Sequence, residues 1–118
     1  MQTVAILGLG LIGGSVARAV RACLPERRIQ VMDKDPEALR VAREMGLADL
    51  ATMDAAEAVR GADLVVLAVP VEALEEVTRA AAPGLQAGTL VTDVASVKRY
   101  LTDRIATLLP EGMALVPA

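Results

Sequence analysis

The sequence predicts a protein of the α/β class, with a doubly wound, mainly parallel sheet of six strands and helices on both faces. Short apolar runs typical of buried strands alternate with segments whose apolar residues recur at helical spacing. The run 64–69 is apolar throughout, which is typical of a strand covered on both faces. Neither a linker nor a repeat divides the 118 residues. We therefore expect one domain, residues 1–118.

The patterns place five of the six strands, at 4–7, 29–32, 64–69, 89–92 and 113–116. Helices are expected at 11–24, 36–45, 71–82 and 96–109, and a shorter one begins at Asp54. Start and stop signals support these bounds. Asp35 and Pro36 suit the N-cap and first turn of the second helix, and Gly46 is expected to be its C-cap. Asp54 with Glu57 resembles a capping box.

Composition excludes several classes of protein. Apolar residues make up 54% of the chain and charged residues 23%, so we expect it to fold. No apolar run is long enough to span a bilayer. The N-terminus has no basic segment typical of a signal peptide, so a cytoplasmic location is expected. A single cysteine, Cys23, permits no internal disulfide, and the absence of histidine argues against a metal site.

The charge pattern argues against nucleic acid as a partner. The net charge is −3, the basic residues are scattered among acidic ones, and Tyr100 is the only aromatic residue available for base stacking. The expected partner is a small molecule or another protein surface.

Residues 8–13 form the pattern G-x-G-x-x-G between the first strand and the first helix, which is typical of a Rossmann-type dinucleotide site. Gly8 would allow the tight turn, Gly10 the approach of a pyrophosphate, and Gly13 close packing of helix on strand. Leu11 and Ile12 begin the helix, whose free N–H groups and dipole favour an anion. The alternative is a glycine-rich turn that binds nothing.

Asp33 follows the second strand, about 20 residues after the last glycine of the motif, where a carboxylate can accept hydrogen bonds from the adenosine ribose. The same charge would repel a 2′-phosphate, so the expected cofactor is NAD rather than NADP. Lys34 is a cation that would tolerate such a phosphate. The alternative role of Asp33 is to cap the turn.

Two further segments follow predicted strands, at the edge where such folds bind ligands. Val69 and Pro70 close the strand at 64–69, and Pro70 also suits the first position of a helix. The segment 92–98, T-D-V-A-S-V-K, ends the strand at 89–92. Its Ser96 is either a helix N-cap or a residue that contacts substrate.

Together the stretch 8–15 (G-L-G-L-I-G-G-S), Asp33, the stretch 67–71 (L-A-V-P-V) and the segment 92–98 resemble the prephenate and arogenate dehydrogenase family of tyrosine biosynthesis. The resemblance covers the whole chain, and its last motif is the most specific. It implies an oxidoreductase in which NAD takes hydride from the substrate ring and loss of carbon dioxide aromatises that ring. It further implies that Gly8, Gly10 and Gly13 hold the pyrophosphate and Asp33 the ribose.

The resemblance also implies that Val69 and Pro70 line the nicotinamide end and that Ser96 bonds the reacting hydroxyl. The family's catalytic histidine and its helical second domain, which binds substrate and forms a homodimer, have no counterpart in these residues. We therefore expect the chain to bind NAD but to turn over substrate little or not at all. Two alternatives are a stand-alone NAD-sensing module and the nucleotide domain of another dehydrogenase, such as a beta-hydroxyacid type.

Overall fold

The computed structural model describes residues 2–93, which form a sheet with helices on both faces. The elements, in chain order, are β1 (Thr3–Leu7), α1 (Leu11–Cys23), β2 (Arg28–Met32), α2 (Pro36–Glu44), β3 (Leu50–Thr52), α3 (Ala55–Val59), β4 (Leu64–Leu67), α4 (Val71–Ala81), a 3₁₀ helix (Ala82–Gly84) and β5 (Leu90–Asp93). The expected alternation of strand and helix is confirmed. The helix expected at 96–109 and the sixth strand at 113–116 lie outside the described residues.

The five described strands are all parallel and lie in the order β3-β2-β1-β4-β5. Leu7, at the end of β1, pairs with Met32 of β2 on one side and with Leu67 of β4 on the other. From β1 the chain moves outward through β2 to β3 and then returns to the opposite side of β1. The direction of winding therefore reverses between β1 and β4, which is where open α/β sheets bind ligands.

Side chains of β1 alternate between two apolar cores, one on each face of the sheet. Val4 and Ile6 pack with α1 and α2, whereas Ala5 and Leu7 pack with α3 and α4. Ala5, Ile6 and Leu7 are fully buried. Burial on both faces explains why the strand sequences are continuous apolar runs, and it confirms the doubly wound architecture.

The end of α2 shows how a single glycine fixes a helix boundary. Met45 is the C-cap, and Gly46 follows with φ +69°, a conformation that favours glycine. The Leu47 N–H donates to the Ala42 carbonyl at 2.9 Å and the Gly46 N–H to the Arg43 carbonyl at 3.1 Å. This is a Schellman motif, so Gly46 lies one residue beyond the cap that the sequence assigned to it.

Strand β4 is shorter than expected, ending at Leu67 rather than at Val69. The Ala68 N–H still donates to the Leu7 carbonyl at 2.8 Å, so pairing with β1 continues for one residue. Pro70 has no N–H to donate and restricts the residue before it, which explains why the ladder stops there.

The start of α3 differs in part from a reciprocal capping box. Asp54 Oδ1 accepts from the Ala56 N–H at 3.0 Å, as expected of an N-cap. Glu57 does not return to the Asp54 N–H, because Thr52 supplies that contact: its hydroxyl accepts from the Asp54 N–H at 3.1 Å and donates to Glu57 Oε1 at 2.5 Å.

An ion pair at the amino ends of β2 and β3 holds the C-terminal part of α1. The Arg21 guanidinium donates to Asp49 Oδ2 at 3.1 Å and to the Gly46 carbonyl at 3.0 Å, and the Ile29 N–H donates to the same Asp49 oxygen at 2.8 Å. Desolvation raises the pKa of Asp49, but the hydrogen bonds from Ile29 and Arg21 outweigh it and leave this pKa below its ordinary value. These contacts connect the C-terminal part of α1 to the first residues of β2 and to the turn before β3.

Candidate functional site

Except for Ser96, the residues singled out from the sequence lie at the carboxyl ends of the strands, around the point where the winding reverses between β1 and β4. Gly8 follows β1 with φ +102°, and its N–H donates to the Met32 carbonyl at 2.7 Å. A Cβ at this position would lie 2.5 Å from the Ala68 carbonyl oxygen and 2.9 Å from Val69 Cγ1. Both the conformation and the space therefore require glycine.

Gly13 allows α1 to lie against the turn after β1. A Cβ here would overlap the carbonyl oxygen of Gly8 and would lie 3.3 Å from the Ala68 side chain. Helix and turn are thus in backbone contact, which is the packing role expected for the third glycine of the motif.

Gly10 has the opposite environment. It is exposed, and a Cβ built on it would meet nothing within 4 Å among the described residues. Its φ of −55° is open to any residue. Neither its conformation nor packing against the described residues requires glycine here, and the backbone at Gly10 is left open to approach.

The N-terminus of α1 offers its first N–H groups without a competing side chain. Gly10 is the N-cap, and within the described chain no side chain caps this helix and no acidic residue lies in its first turn. Leu11 and Ile12, which begin the helix, are exposed, Leu11 by 91%. Free N–H groups and the positive end of the helix dipole create a site for an anion such as a phosphate.

Asp33 lies directly after β2 and binds the glycine loop, residues 8–13. Its Oδ2 accepts from the Leu9 N–H at 2.7 Å, and its Oδ1 accepts from the Asp35 N–H at 2.8 Å. The second bond caps the turn after β2, which is the alternative role that the sequence analysis gave for Asp33. A carboxylate oxygen accepts more than one hydrogen bond, so both oxygens retain capacity for a ligand hydroxyl.

Lys34, next to Asp33 in the sequence, is paired with an acidic side chain of α4. Its Nζ lies 3.5 Å from Glu76 Oε1 of α4, and both side chains are largely exposed. The pair connects the turn after β2 with α4. An exposed pair of this kind contributes little to stability, but Glu76 offsets the cation beside Asp33.

Val69 and Pro70 lie where β4 leads into α4, adjacent to Gly8. Val69 is half-buried against the core formed with α3 and α4. Pro70 is the N-cap of α4, one residue before the position expected for it, and its carbonyl accepts from the Ala73 N–H at 2.8 Å. Ser96 lies outside the described residues.

Sequence reasoning missed two residues of this edge. Leu9 is a variable position of the glycine motif, but its N–H is the one that Asp33 binds. Ala68 limits the space at both glycines: its carbonyl oxygen would lie 2.5 Å from a Cβ on Gly8, and its Cβ 3.3 Å from a Cβ on Gly13. The small side chain of Ala68 is the one signal that could have indicated this close approach.

Two features are absent from residues 2–93. They contain no group of three or more His, Cys, Asp or Glu side chains that could hold a metal ion. No helix among them has the length and apolar character needed to cross a membrane.

Comparison with known proteins gives one matching family. The family described as "Prephenate dehydrogenase, nucleotide-binding domain" matches residues 16–118. A cyclohexadienyl dehydrogenase of Zymomonas mobilis is 41% identical over 98% of this chain.

Solved structures of similar fold include two dehydrogenases. Prephenate dehydrogenase from A. aeolicus, solved in complex with hydroxyphenyl propionate and NAD+, superposes with a TM-score of 0.71 at 30% identity over 79% of this chain. Arogenate dehydrogenase from Synechocystis gives a TM-score of 0.74 at 27% identity over 86% of the chain. The chain covers 39% of the Zymomonas protein and 33% and 36% of these two structures.

Proposed function

This chain belongs to the family of prephenate dehydrogenase nucleotide-binding domains, and from that premise we propose that its glycine loop and Asp33 bind NAD. We further propose that the whole protein is an NAD-dependent dehydrogenase that oxidatively decarboxylates prephenate or arogenate in tyrosine biosynthesis. The observation that carries the proposal is the start of α1, which is open at Gly10 and free of capping and acidic side chains within the described chain.

The pyrophosphate of NAD fits this helix start. Gly10 leaves the backbone accessible, and the N–H groups of Leu11 and Ile12 lie in the first turn, where a helix has no internal acceptor for them. Gly8 and Gly13 hold the loop against β4 and α1, so the donors are arranged before the anion arrives. Preorganised donors lower the ordering cost of binding.

Asp33 supports NAD over NADP. Its carboxylate can accept from the adenosine ribose hydroxyls, and its charge opposes a 2′-phosphate at the same position. Lys34 would weaken that opposition, but Glu76 lies 3.5 Å from its ammonium group. Asp33 and Glu76 together outweigh the charge of Lys34, so these three side chains give the ribose end of the site a net negative charge.

NAD, when bound, supplies the hydride acceptor. Val69 and Pro70 flank the loop on the β4 side, and we assign to them the nicotinamide end, with Ser96 bonded to the reacting hydroxyl. Removal of the hydroxyl proton requires a base, a contribution worth about a hundred- to ten-thousand-fold in rate. The 118 residues include no histidine, so we assign the base to a part of the enzyme outside them.

The partners of the whole protein follow from the same premise. We propose that a further domain of the enzyme binds prephenate or arogenate and forms a homodimer, and that the enzyme works in the cytoplasm. Residues 1–118 then contribute the cofactor-binding domain.

The proposal is tested by calorimetric titration of the chain with NAD and, separately, with NADP. We expect NAD to bind and NADP to bind at least about tenfold more weakly, which corresponds to about 1.4 kcal/mol. The same preparation is then supplied with prephenate and NAD, and NADH fluorescence is followed. We expect no NADH above the rate without protein.

Three results would count against the proposal. Failure to bind either dinucleotide removes the cofactor site, and equal binding of both removes Asp33 as the selector. NADH formation by the chain alone, in a preparation free of host dehydrogenase, contradicts the assignment of the base to another part of the enzyme.

A further inference from the structure

The glycine loop is attached to the end of β2 by two hydrogen bonds. The Gly8 N–H donates to the Met32 carbonyl at 2.7 Å, and the Leu9 N–H donates to Asp33 Oδ2, also at 2.7 Å. The first bond uses backbone atoms alone and survives any substitution that keeps the fold. The second depends on one side chain.

Asp33 is held so that it can make this bond. Its N–H donates to the Thr52 carbonyl of β3 at 3.3 Å, and its other carboxylate oxygen, Oδ1, accepts from the Asp35 N–H at 2.8 Å. The side chain is half-buried, and Leu9 itself packs against the core of α1 and α2. Oδ2 therefore reaches the loop from an anchored position, as a charged acceptor for a partly buried donor.

We propose that Asp33 is a positioning residue for the glycine loop as well as the residue that selects the ribose. Its carboxylate holds the peptide between Gly8 and Leu9 in the orientation that leaves Gly10 and the first turn of α1 open to the pyrophosphate. The inference rests on the proposed NAD site and deepens it, because loop shape and cofactor choice then depend on one side chain. Replacing Asp33 by a small neutral residue weakens NAD binding without creating a site for NADP.

Electrostatics and positioning predict opposite results for a ligand that lacks the adenosine ribose. Inorganic pyrophosphate is such a probe. Removing the Asp33 charge alone would strengthen pyrophosphate binding, because a nearby negative charge is lost. If the carboxylate positions the loop, Asp33→Ala weakens pyrophosphate binding about tenfold despite that loss.

Asp35→Ala is the matched control. It removes the same charge two residues away, and the Asp35 side chain bonds the Glu37 N–H of α2 rather than the loop. We expect Asp35→Ala to leave pyrophosphate binding unchanged or slightly stronger. Asp33→Asn keeps one oxygen acceptor, and we expect it to rescue pyrophosphate binding relative to Asp33→Ala.

Amide hydrogen exchange at Leu9 gives a readout that needs no ligand. We expect the wild-type Leu9 N–H and that of Asp35→Ala to be protected, and the Leu9 N–H of Asp33→Ala to exchange at least about tenfold faster. Unchanged Leu9 exchange in a folded Asp33→Ala, or pyrophosphate binding by that variant equal to or tighter than wild type, overturns the inference. If Asp33→Ala does not fold, Asp33→Ser, which cannot reach the loop with its shorter side chain, replaces it in the same comparison.

The outcome also separates the two proposals. A wild-type chain that binds neither NAD nor pyrophosphate contradicts the proposed function, and Leu9 exchange then decides the positioning role alone. Binding of NAD with Leu9 exchange unaffected by Asp33→Ala supports the proposed function and overturns the inference.

Discussion

Helices α1 and α2 begin at the same edge of the sheet, after neighbouring strands, yet their N-termini are built in opposite ways. At α2, Asp35 caps the helix by accepting from the Glu37 N–H at 2.9 Å, Pro36 occupies the first turn, and Glu37 adds a second acidic side chain. At α1, Gly10 contributes no side chain and the first turn carries no acid. Asp35 caps α2, whereas no side chain of the described residues caps α1.

The difference separates a helix start that is open to an anion from one that is closed by its own cap. A glycine in place of a capping side chain costs only about a few tenths of a kcal/mol, so the start of α1 at Gly10 lowers the stability of the fold slightly. Among the four described α-helices, α1 alone has no acid in its first turn. The sequence therefore gives up local stability at one particular helix, the one that follows the central strand.

The largest expected effect is a loss of stability when α1 is displaced from the turn after β1. Gly13→Ala places a methyl group on the Gly8 carbonyl, where only backbone movement can relieve the overlap, and we expect a loss of about 2–3 kcal/mol in the free energy of unfolding. Urea denaturation measures it. Gly14→Ala is the control, since its Cβ lies 3.7 Å from the nearest atom, the Leu9 carbonyl oxygen. It should stabilise the helix by about 0.5–1 kcal/mol. Equal stability of the two variants would contradict the close packing of α1.

Giving α1 a cap like that of α2 should weaken NAD binding without lowering the free energy of unfolding. Gly10→Asp supplies a cap and an acid to α1, so we expect stability to stay the same or to rise by a few tenths of a kcal/mol. The added charge occupies the anion site, and we expect NAD affinity to fall about a hundredfold.

Gly10→Asn is the matched control, because it has nearly the same size and can cap the helix without a charge. Calorimetry should show a smaller loss of NAD affinity for Gly10→Asn than for Gly10→Asp. A Gly10→Asp variant that binds NAD as tightly as wild type would show that the start of α1 is not the pyrophosphate site.

The smallest effect is expected at α2. Asp35→Ala removes the cap and should lower stability by about 1 kcal/mol, with NAD affinity changed by less than about twofold. Asp35→Ser retains an oxygen that can cap and should recover most of the loss. Thermal unfolding and NAD titration of the same samples provide both measurements. A large loss of NAD affinity in Asp35→Ala would mean that the two helix starts are not independent.

Most of the fold was predictable because its signals are local. Apolar runs gave β1, β2, β4 and β5, and Asp35 with Pro36 gave the start of α2. Strand β3 had no such signal, since its three residues, Leu50–Thr52, are too short to show a period. It forms by parallel pairing with β2, where Val31 lies opposite Ala51. Pairing between distant segments is a tertiary effect that a local pattern does not contain.

The site was predictable in its residue types but not in its contacts. The spacing of Gly8, Gly10 and Gly13 indicated a turn, an opening and a close approach, and the structure has these three environments. The bond from Leu9 to Asp33 joins residues 24 apart in sequence, through a backbone N–H that every residue but proline carries. Nothing in the identity of Leu9 could have indicated it. The roles of the site residues toward NAD stay predictions.

The position of β1 at the centre of the sheet has a consequence for synthesis. Among the described strands it comes first in the sequence, but its second neighbour, β4 (Leu64–Leu67), comes after β2 and β3. A nascent chain that ends before Leu64 carries β1, whose last four residues are apolar, with one edge unpaired. The order in which the strands are made therefore leaves β1 paired on one side only until Leu67 has been translated.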